Sequence, residues 1–331
     1  FTQGDAGNVT LNTDSLFVID TIGAGTRIST TTYGTVPGSG SGGDVIINAR
    51  DFISLQGNGD ADFFTGIFAG PWTGAMGQGG QITIKTGSLF VTNSAEISTY
   101  TRGEGNSGNL LVQARDLVEL TGAGSLLSAE VFSGAIGLGG ELRIETEQLN
   151  VRDQAQVKVS TAGSEPESRA GNLTIETGQL LVSDGAQISA STSGAGEGGE
   201  LNIRARQGVE LRGTGLKNFD DAIGLALETG GDAESLQKFI QDEAPLSTAT
   251  FSTGEAGTIT IDTPSLVLKD GAILSSTTFG GENAGGIFIK NAKSLELIGS
   301  GLVAGTFNTN AEVAAVGGNI DIDTGKLSLQ E

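Results

Sequence analysis

The sequence of 331 residues contains no cysteine and no histidine, and it has only one methionine and one tryptophan. Without cysteine and histidine it cannot form a Ser-His-Asp triad, a cysteine nucleophile or the usual zinc, haem and iron–sulfur ligand sets. No apolar stretch reaches the roughly 18 residues of a membrane-spanning helix, so we expect no membrane insertion. The sequence therefore predicts no catalytic residues, no metal ligands and no cofactor.

Positive charge is also scarce, with 18 Lys and Arg against 39 Asp and Glu, which gives a formal net charge of −21. Such a surface repels phosphate backbones, so we expect no nucleic-acid partner. Proline contributes only 5 residues, whereas glycine contributes 54. Glycine without a matching share of proline excludes collagen and Pro-rich linkers.

Glycine instead marks a repeat that covers most of the chain. Ten related segments each begin with a glycine that is followed by apolar residues two and four positions later, and most of these starts lie about 30 residues apart. The residues between the apolar ones are mostly polar, which is typical of a strand with one buried face. The starts are Gly7, Gly43, Gly80, Gly108, Gly140, Gly171, Gly199, Gly257, Gly285 and Gly318.

Two more short strands follow in most units, with no helix between them. In the unit that begins at Gly171, the pair Leu180/Val182 marks the second strand and the pair Ala186/Ile188 marks the third. Three short strands per unit predict an all-β parallel β-helix (solenoid) of about ten coils, in which each coil stacks on the one before. We expect residues 1–331 to form one such repeat domain. A β-sandwich or barrel is the alternative, but it gives no reason for identical strands at every third position.

The repeated phrase "GGxLxIxT…LxVxDGAxIxxxTxGxGxGG", clearest over Gly171–Gly199, resembles the passenger region of filamentous-haemagglutinin-like exoproteins of bacterial two-partner secretion. The mixture of repeat subtypes is similar to that of large cyanobacterial exoproteins. The resemblance implies a right-handed coil, export by an outer-membrane two-partner-secretion transporter, and a secreted or cell-surface location. It also implies a role in adhesion or surface structure. Because the chain lacks a start methionine and a recognisable secretion-recognition region, we expect it to be a fragment of a longer protein.

One departure from the repeat is the interval of 58 residues between Gly199 and Gly257. It contains Gly213–Pro245, where apolar residues recur at near-helical spacing in two stretches, so we predict an inserted helical hairpin. Phe219 and Phe239 belong to these stretches. Insertions into one face of a repeat often carry function, but the hairpin could equally cover a flank of the rod with its own apolar stripe.

A second departure is Asp60–Trp72, which concentrates Phe63, Phe64, Phe68 and Trp72 in a chain with only 5% aromatic residues. Exposed aromatic rings can stack on sugars or contact another protein. Alternatively, Ile67 or Phe68 fills the third strand, as Leu126 and Leu302 would in other coils. The candidate binding surface therefore comprises Phe63, Phe64, Phe68, Trp72, Phe219 and Phe239.

These features predict a non-catalytic, adhesin-like or surface-structural rod that displays loops for attachment to a glycan or protein receptor on cells. The alternative is a β-helix polysaccharide lyase or glycosidase, which would need paired carboxylates. The acidic residues Asp220, Asp221 and Asp262 lack any companion signature for that chemistry. A minor alternative is an ice-binding solenoid, in which Ser/Thr runs such as Ser29–Thr32 would form outward columns. Ca²⁺ could bind where acidic loops converge, although the nonapeptide Ca²⁺ repeat is absent.

Overall fold

The computed structural model describes residues 4–33, 40–59, 65–73, 75–163, 165, 168–214, 234–307 and 315–331. Two sheets wind around a common core. The thirteen-stranded sheet contains β1 (Val9–Ile19), β3 (Val45–Gln56), β5 (Ile82–Thr92), β7 (Leu110–Thr121), β9 (Leu142–Arg152), β11 (Leu173–Val182), β13 (Leu201–Arg212), β15 (Ile259–Asp262), β16 (Ser265–Lys269), β18 (Ile287–Ala292), β19 (Ser294–Ile298), β21 (Ile320–Thr324) and β22 (Leu327–Gln330). The nine-stranded sheet contains β2 (Arg27–Thr32), β4 (Thr65–Pro71), β6 (Ala95–Thr101), β8 (Leu126–Val131), β10 (Gln156–Thr161), β12 (Gln187–Thr192), β14 (Leu246–Ser247), β17 (Ile273–Thr278) and β20 (Gly301–Thr306).

Every strand pairs in parallel with the equivalent strand of the next coil. In β9 and β11, for example, Leu142 lies opposite Leu173 and Leu149 lies opposite Leu180. Residues at the same position of successive repeats therefore stack into columns, which confirms the predicted parallel β-helix. The solenoid has about eight turns, slightly fewer than the ten coils predicted, and its described residues include one short helix, α1 (Glu234–Glu243).

The first and second strands of a unit mostly form one long strand rather than the two short ones predicted. Strand β9 contains both apolar pairs of its unit, with Thr146 between them. The Thr146 hydroxyl donates to the Gln148 carbonyl at 3.2 Å, and the pairing register shifts near this point in several neighbouring coils. Both segments can thus stay in one sheet while the chain bends between them. They are separate strands only in the last coils, as in β15 and β16.

The core is the set of inward columns that the period-two pattern predicts. Ile82 and Ile84 of the first strand segment, Leu89 of the second and Ile97 of the third are completely buried in the central coils. Each fully buried side chain of this size contributes roughly 1.5–3 kcal/mol. Equivalent positions in the last described coil are more exposed, as at Leu327.

The repeat-start glycines hold successive coils in close contact. A Cβ added to Gly140 would lie 1.9 Å from the carbonyl oxygen of Gly108, and one added to Gly171 would lie 1.9 Å from that of Gly140. No real Cβ tolerates that distance to backbone, so these positions accept only glycine. Close approach of backbone explains this column of glycines, since none of them has a positive φ.

Asp20, which directly follows β1, caps the backbone of the turn after it. Its carboxylate accepts amide hydrogen bonds from Ile22, Gly23, Ala24 and Gly25 at 2.9–3.3 Å. Burial opposes the charged form, but the four hydrogen bonds together hold the pKa of Asp20 below its usual value. The equivalent residues of other coils are turn-formers instead, with left-handed φ of 52°, 55°, 58° and 58° at Asn93, Asp153, Asp184 and Asp270.

The helix α1 covers part of the outer face of the nine-stranded sheet. Leu236 and Ile240 are buried against Ala249 and Ile273, with Phe251 at the edge of the same cluster. This contact fits the interpretation that the insertion shields a flank of the rod with its own apolar stripe. The first helix of the predicted hairpin and Phe219 lie outside the described residues, as does the side chain of Phe239.

A candidate binding face on the nine-stranded sheet

A single column of side chains runs along the outer face of the nine-stranded sheet, one residue beyond the paired part of each strand. The pairings Thr32 with Pro71, Thr101 with Val131, and Thr278 with Thr306 fix its register. We call it the outer column, and its members are Tyr33, Trp72, Arg102, Phe132, Ala162, Ser193, Phe251, Phe279 and Phe307. Large side chains occupy both ends of the column and small ones occupy its middle.

The first four members, together with Phe68 and Tyr100, enclose what we call the aromatic cleft, with a cavity of about 110 Å³. Its rings form a continuous series, with centroids 5.9 Å apart for Tyr33 and Trp72, and 6.3 Å apart for Trp72 and Tyr100. Tyr100 and Phe132 follow at 6.1 Å with nearly perpendicular planes. These are favourable edge-to-face separations, so the cleft is a packed set of rings that stays in place without a ligand.

Arg102 lies between two of these rings. Its guanidinium carbon is 3.7 Å from the centre of Phe132 and 4.8 Å from the centre of Trp72. Cation–π attraction of this kind contributes roughly 0.5–2 kcal/mol. Its Nε atom is buried and has no hydrogen-bond partner among the described residues. No ion pair within the described part of the chain involves Arg102, so the cleft presents a cation on a strongly acidic protein.

The floor beside the cleft carries a small charged cluster. Lys158 Nζ lies 3.0 Å from Glu130 Oε1, and the Ser160 hydroxyl donates to the same oxygen at 2.8 Å. Burial and the negative charge of Glu130 raise the pKa of Glu96 to about 7, and the positive charges of Lys158 and Arg102 oppose this rise only partly. Glu96 therefore gains and loses its proton near neutral pH.

The second end of the outer column is a stack of three phenylalanines. Phe251 and Phe279 have ring centroids 5.7 Å apart and planes at 19°, and Phe279 and Phe307 are 5.4 Å apart at 22°. Their inner edges contact the apolar cluster under α1, so this stack is partly covered.

The structure brings together only part of the predicted binding surface. Phe68 and Trp72 line the aromatic cleft, whereas Phe63 and Phe64 lie outside the described residues. Ile67 fills the core and Phe68 points outward, although Phe68 is only 6% exposed. The expectation for Leu126 is wrong, because Leu127 is the buried residue of that strand and Leu126 lines the cleft.

The sequence-based reasoning missed Tyr33, Tyr100, Arg102 and Phe132. Three of these share a signal with Trp72, because each immediately follows the third strand of its unit. Aligning the units on that strand end would have shown an aromatic or arginine residue in the first four units. The alignment by repeat-start glycines hid the column, because the loops vary in length.

The Ser/Thr runs alternate between the two sides of the sheet. Thr30, Thr99 and Thr248 point inward, and each hydroxyl donates to the carbonyl of a repeat-start glycine at 2.5–2.7 Å. These threonines secure the corners between the sheets. The remaining outward positions are interrupted by Phe68, Tyr100 and Lys158, so the outer face carries no uninterrupted threonine column in the described coils.

Of the three carboxylates singled out from the sequence, only Asp262 lies within the described residues. Asp262 accepts a hydrogen bond from Asn291 at 2.9 Å on the thirteen-stranded sheet, while Asp220 and Asp221 lie outside the described residues. Within the described ranges, no group of three or more acidic side chains is arranged to hold a metal ion. The same ranges contain no helix with the length and apolar character required to span a bilayer.

Comparison with known proteins identifies no relative: no family model, no curated protein and no solved structure matches the chain.

Proposed function

We propose that the chain is a non-catalytic, adhesin-like rod of the filamentous-haemagglutinin type, secreted or displayed at the cell surface. In this proposal an outer-membrane two-partner-secretion transporter exports the full-length protein, and a glycan or protein on cells is the receptor. The repeat phrase and the solenoid support it. The absence of cysteine also supports it, because a chain exported unfolded cannot then be trapped by a premature disulfide.

The observation that carries the proposal is the aromatic cleft. Aromatic rings and an arginine without an ion-pair partner among the described residues are clustered on the outer face of a protein with a net charge of −21. Rings of this kind supply large contact areas at low entropic cost, and Arg102 supplies hydrogen-bond donors. A rigid solenoid holds these groups at fixed spacing, so several weak contacts can act together.

The proposal is tested by measuring attachment of the purified chain to cells and to a glycan array. We expect Trp72→Ala to reduce attachment on the order of tenfold, because it removes the central ring of the cleft. Phe307→Ala is the matched control, since it removes a ring of the same outer column far from the cleft. Equal attachment by the Trp72→Ala variant and the unmodified chain would exclude the cleft as the attachment site.

A second candidate function, a carbohydrate-active enzyme, is favoured by one observation. Burial and the negative charge of Glu130 raise the pKa of Glu96 to about 7, and glycoside cleavage requires a second carboxyl group near a general acid with a raised pKa. Incubation with bacterial and plant polysaccharides decides the matter. New reducing ends or unsaturated sugars that disappear in Glu96→Gln would establish the enzyme, and their absence is the result expected for the rod.

A further inference from the structure

A second depression lies between the two large-residue ends of the outer column. It is bounded by Phe132 at one end and by Phe251 at the other, and it has a volume of about 420 Å³. We call it the serine groove. Its polar lining comes from four consecutive coils and from the end of α1, and it includes Gln156, Ser160, Gln187, Ser189, Ser191 and Ser193.

The groove exists because the outer column has small residues at its centre. Ala162 and Ser193 stand where the other coils have an aromatic residue or an arginine, so nothing fills the space between Phe132 and Phe251. These two phenylalanines are three coil steps apart. At about 4.8 Å per step they are separated by about 14 Å, roughly the span of two to three linked pyranose rings.

The charges along the groove are neutralised within the protein. Glu130 pairs with Lys158 at 3.0 Å, and Asp242 of α1 pairs with Lys238 on the same helix. The lining itself carries two carboxylates and one ammonium group, so its formal charge is only −1, and the rest of it consists mainly of hydroxyl and amide groups. This is unusual for a chain with 39 acidic and 18 basic residues, and it disfavours a charged ligand.

Hydrogen bonds hold the glutamine side chains of the groove floor in place, whereas two of its serine hydroxyls are free to bind a ligand. The Gln156 amide donates to Gln187 at 3.1 Å, and Gln187 donates to the carbonyl of Gln241 on α1 at 3.1 Å, so the glutamines are fixed in place. The hydroxyls of Ser189 and Ser193 have no hydrogen-bond partner among the described residues. Fixed amides beside free hydroxyls form a surface suited to a ligand that is itself rich in hydroxyl groups.

We propose that the serine groove binds a neutral, extended polysaccharide that runs along the solenoid axis. Phe132 and Phe251 stack on sugar rings at the two ends of the groove, and the serine and glutamine side chains bind the hydroxyls between them. The proposal goes beyond attachment through the aromatic cleft and does not depend on it. It names a separate ligand class for the neighbouring site on the same face.

The test is isothermal titration of the complete 331-residue chain with neutral oligosaccharides of increasing length, such as cello- and manno-oligosaccharides, and with acidic oligogalacturonates. We expect binding of a neutral series whose affinity rises up to about three sugar residues and then levels off, as the length of the groove requires. Preference for the acidic series, or no binding of any neutral series, would overturn the proposal.

The decisive variant is Ser193→Phe, which fills the groove with the residue that the following coil carries at the same position, Phe251. We expect it to fold normally and to lose at least about tenfold in affinity for the neutral oligosaccharides. Phe251→Ala removes one wall and should act in the same direction. Phe307→Ala, in the outer column but outside both the groove and the aromatic cleft, is the control and should bind like the unmodified chain. Undiminished binding by a folded Ser193→Phe variant would refute the assignment.

The two binding proposals fail independently. Loss of oligosaccharide binding in Ser193→Phe with normal attachment to cells supports the groove, whatever the fate of the cleft. Loss of cell attachment in Trp72→Ala with normal oligosaccharide binding supports the cleft alone.

Discussion

The two sheets share one core and one pitch, yet their outer faces differ in chemistry. The thirteen-stranded sheet carries most of the ion pairs, such as Arg143 with Glu145 at 2.6 Å and Arg143 with Glu176 at 2.9 Å, and these are largely exposed. The nine-stranded sheet carries the outer column, a hydroxyl-lined groove and one well-buried pair, Lys158 with Glu130. One backbone scaffold therefore carries charged, solvated side chains on one face and aromatic and hydroxyl side chains on the other, which is the face proposed to bind ligands.

The two faces also differ in how much one ion pair contributes to the free energy of unfolding. Exposed pairs such as Arg206 with Glu147 contribute roughly 0–1 kcal/mol, because water screens them. The Glu130 side chain is only 10% exposed, so its charge depends on Lys158 for compensation. Ionisable groups on the nine-stranded face are thus costly to disturb, and this face should dominate the response to mutation and to pH.

The largest effect is expected where the faces join, at the glycine column. Gly140→Ala places a methyl group 1.9 Å from the Gly108 carbonyl oxygen, and backbone cannot yield cheaply there. We expect a loss of about 3 kcal/mol or more in the free energy of unfolding, measured in urea. Gly7→Ala is the matched control in the first coil, where no atom lies within 4 Å, and it should change stability by less than about 0.5 kcal/mol. Equal losses in both variants would contradict the close-contact explanation.

The next effect compares one ion pair from each face. Lys158→Met leaves the buried Glu130 carboxylate uncompensated, and we expect it to reduce the free energy of unfolding by about 3 kcal/mol at pH 8. Arg206→Met breaks the exposed pair with Glu147 and should cost less than about 1 kcal/mol. Urea titrations of both variants at the same ionic strength provide the comparison. Similar losses would show that the two faces do not differ in the way proposed.

The faces should respond to pH with opposite signs. Glu96 has its pKa raised from the usual 4.5 to about 7, so it stabilises the fold fully below pH 4.5 and loses that contribution as pH rises through 7. Glu96→Gln removes this dependence, and we expect the variant to be more stable than the unmodified chain by about 2 kcal/mol at pH 8 and little different at pH 4.5.

Glu145 on the thirteen-stranded face is the control, because its pKa is shifted in the opposite direction. Hydrogen bonds from Gln113 and Arg143 lower its pKa, so its contribution is present above its usual pKa and is lost as pH falls through the lowered value. Glu145→Gln should therefore lose stability mainly at neutral pH. Thermal unfolding between pH 4 and pH 8 tests both variants, and a Glu96→Gln variant less stable than the unmodified chain at pH 8 would contradict the assignment.

The smallest effect is expected for Tyr33→Ala. The side chain is 62% exposed at the open end of the aromatic cleft, and its removal should change the free energy of unfolding by no more than about 0.5 kcal/mol. A large loss in urea unfolding would mean that the cleft is part of the structural core.

The fold could be predicted from the sequence because it depends on columns of inward residues at fixed spacing. The alternation at Ile82 and Ile84 or at Leu173 and Ile175 is strict, and every such position in the central coils is buried. The merging of the first two strands could not be predicted, because Thr146 resembles a turn residue and only pairing with neighbouring coils keeps the strand continuous.

The site was harder to predict because it is assembled across coils. Phe68 and Trp72 were found as a local aromatic cluster, but their neighbours Tyr100 and Arg102 come from the next coil and Phe132 from the one after. The raised pKa of Glu96 also depends on the fold, since it follows from burial and from the charge of Glu130, which is 34 positions away in the chain. Residues that are close in the sequence belong to one coil, whereas the residues that line the aromatic cleft come from successive coils.

The glycine column keeps the spacing between successive coils constant. The Gly171–Gly199 and Gly199–Gly257 intervals differ by 30 residues, yet a Cβ at Gly199 or at Gly257 would meet the preceding glycine carbonyl at the same 1.9 Å. An insertion of that length therefore leaves the spacing between successive coils unchanged. Loops can therefore be exchanged or extended during evolution while the outward side chains of the sheets keep their spacing. New surfaces can arise in the loops without a change in the geometry of the existing ones.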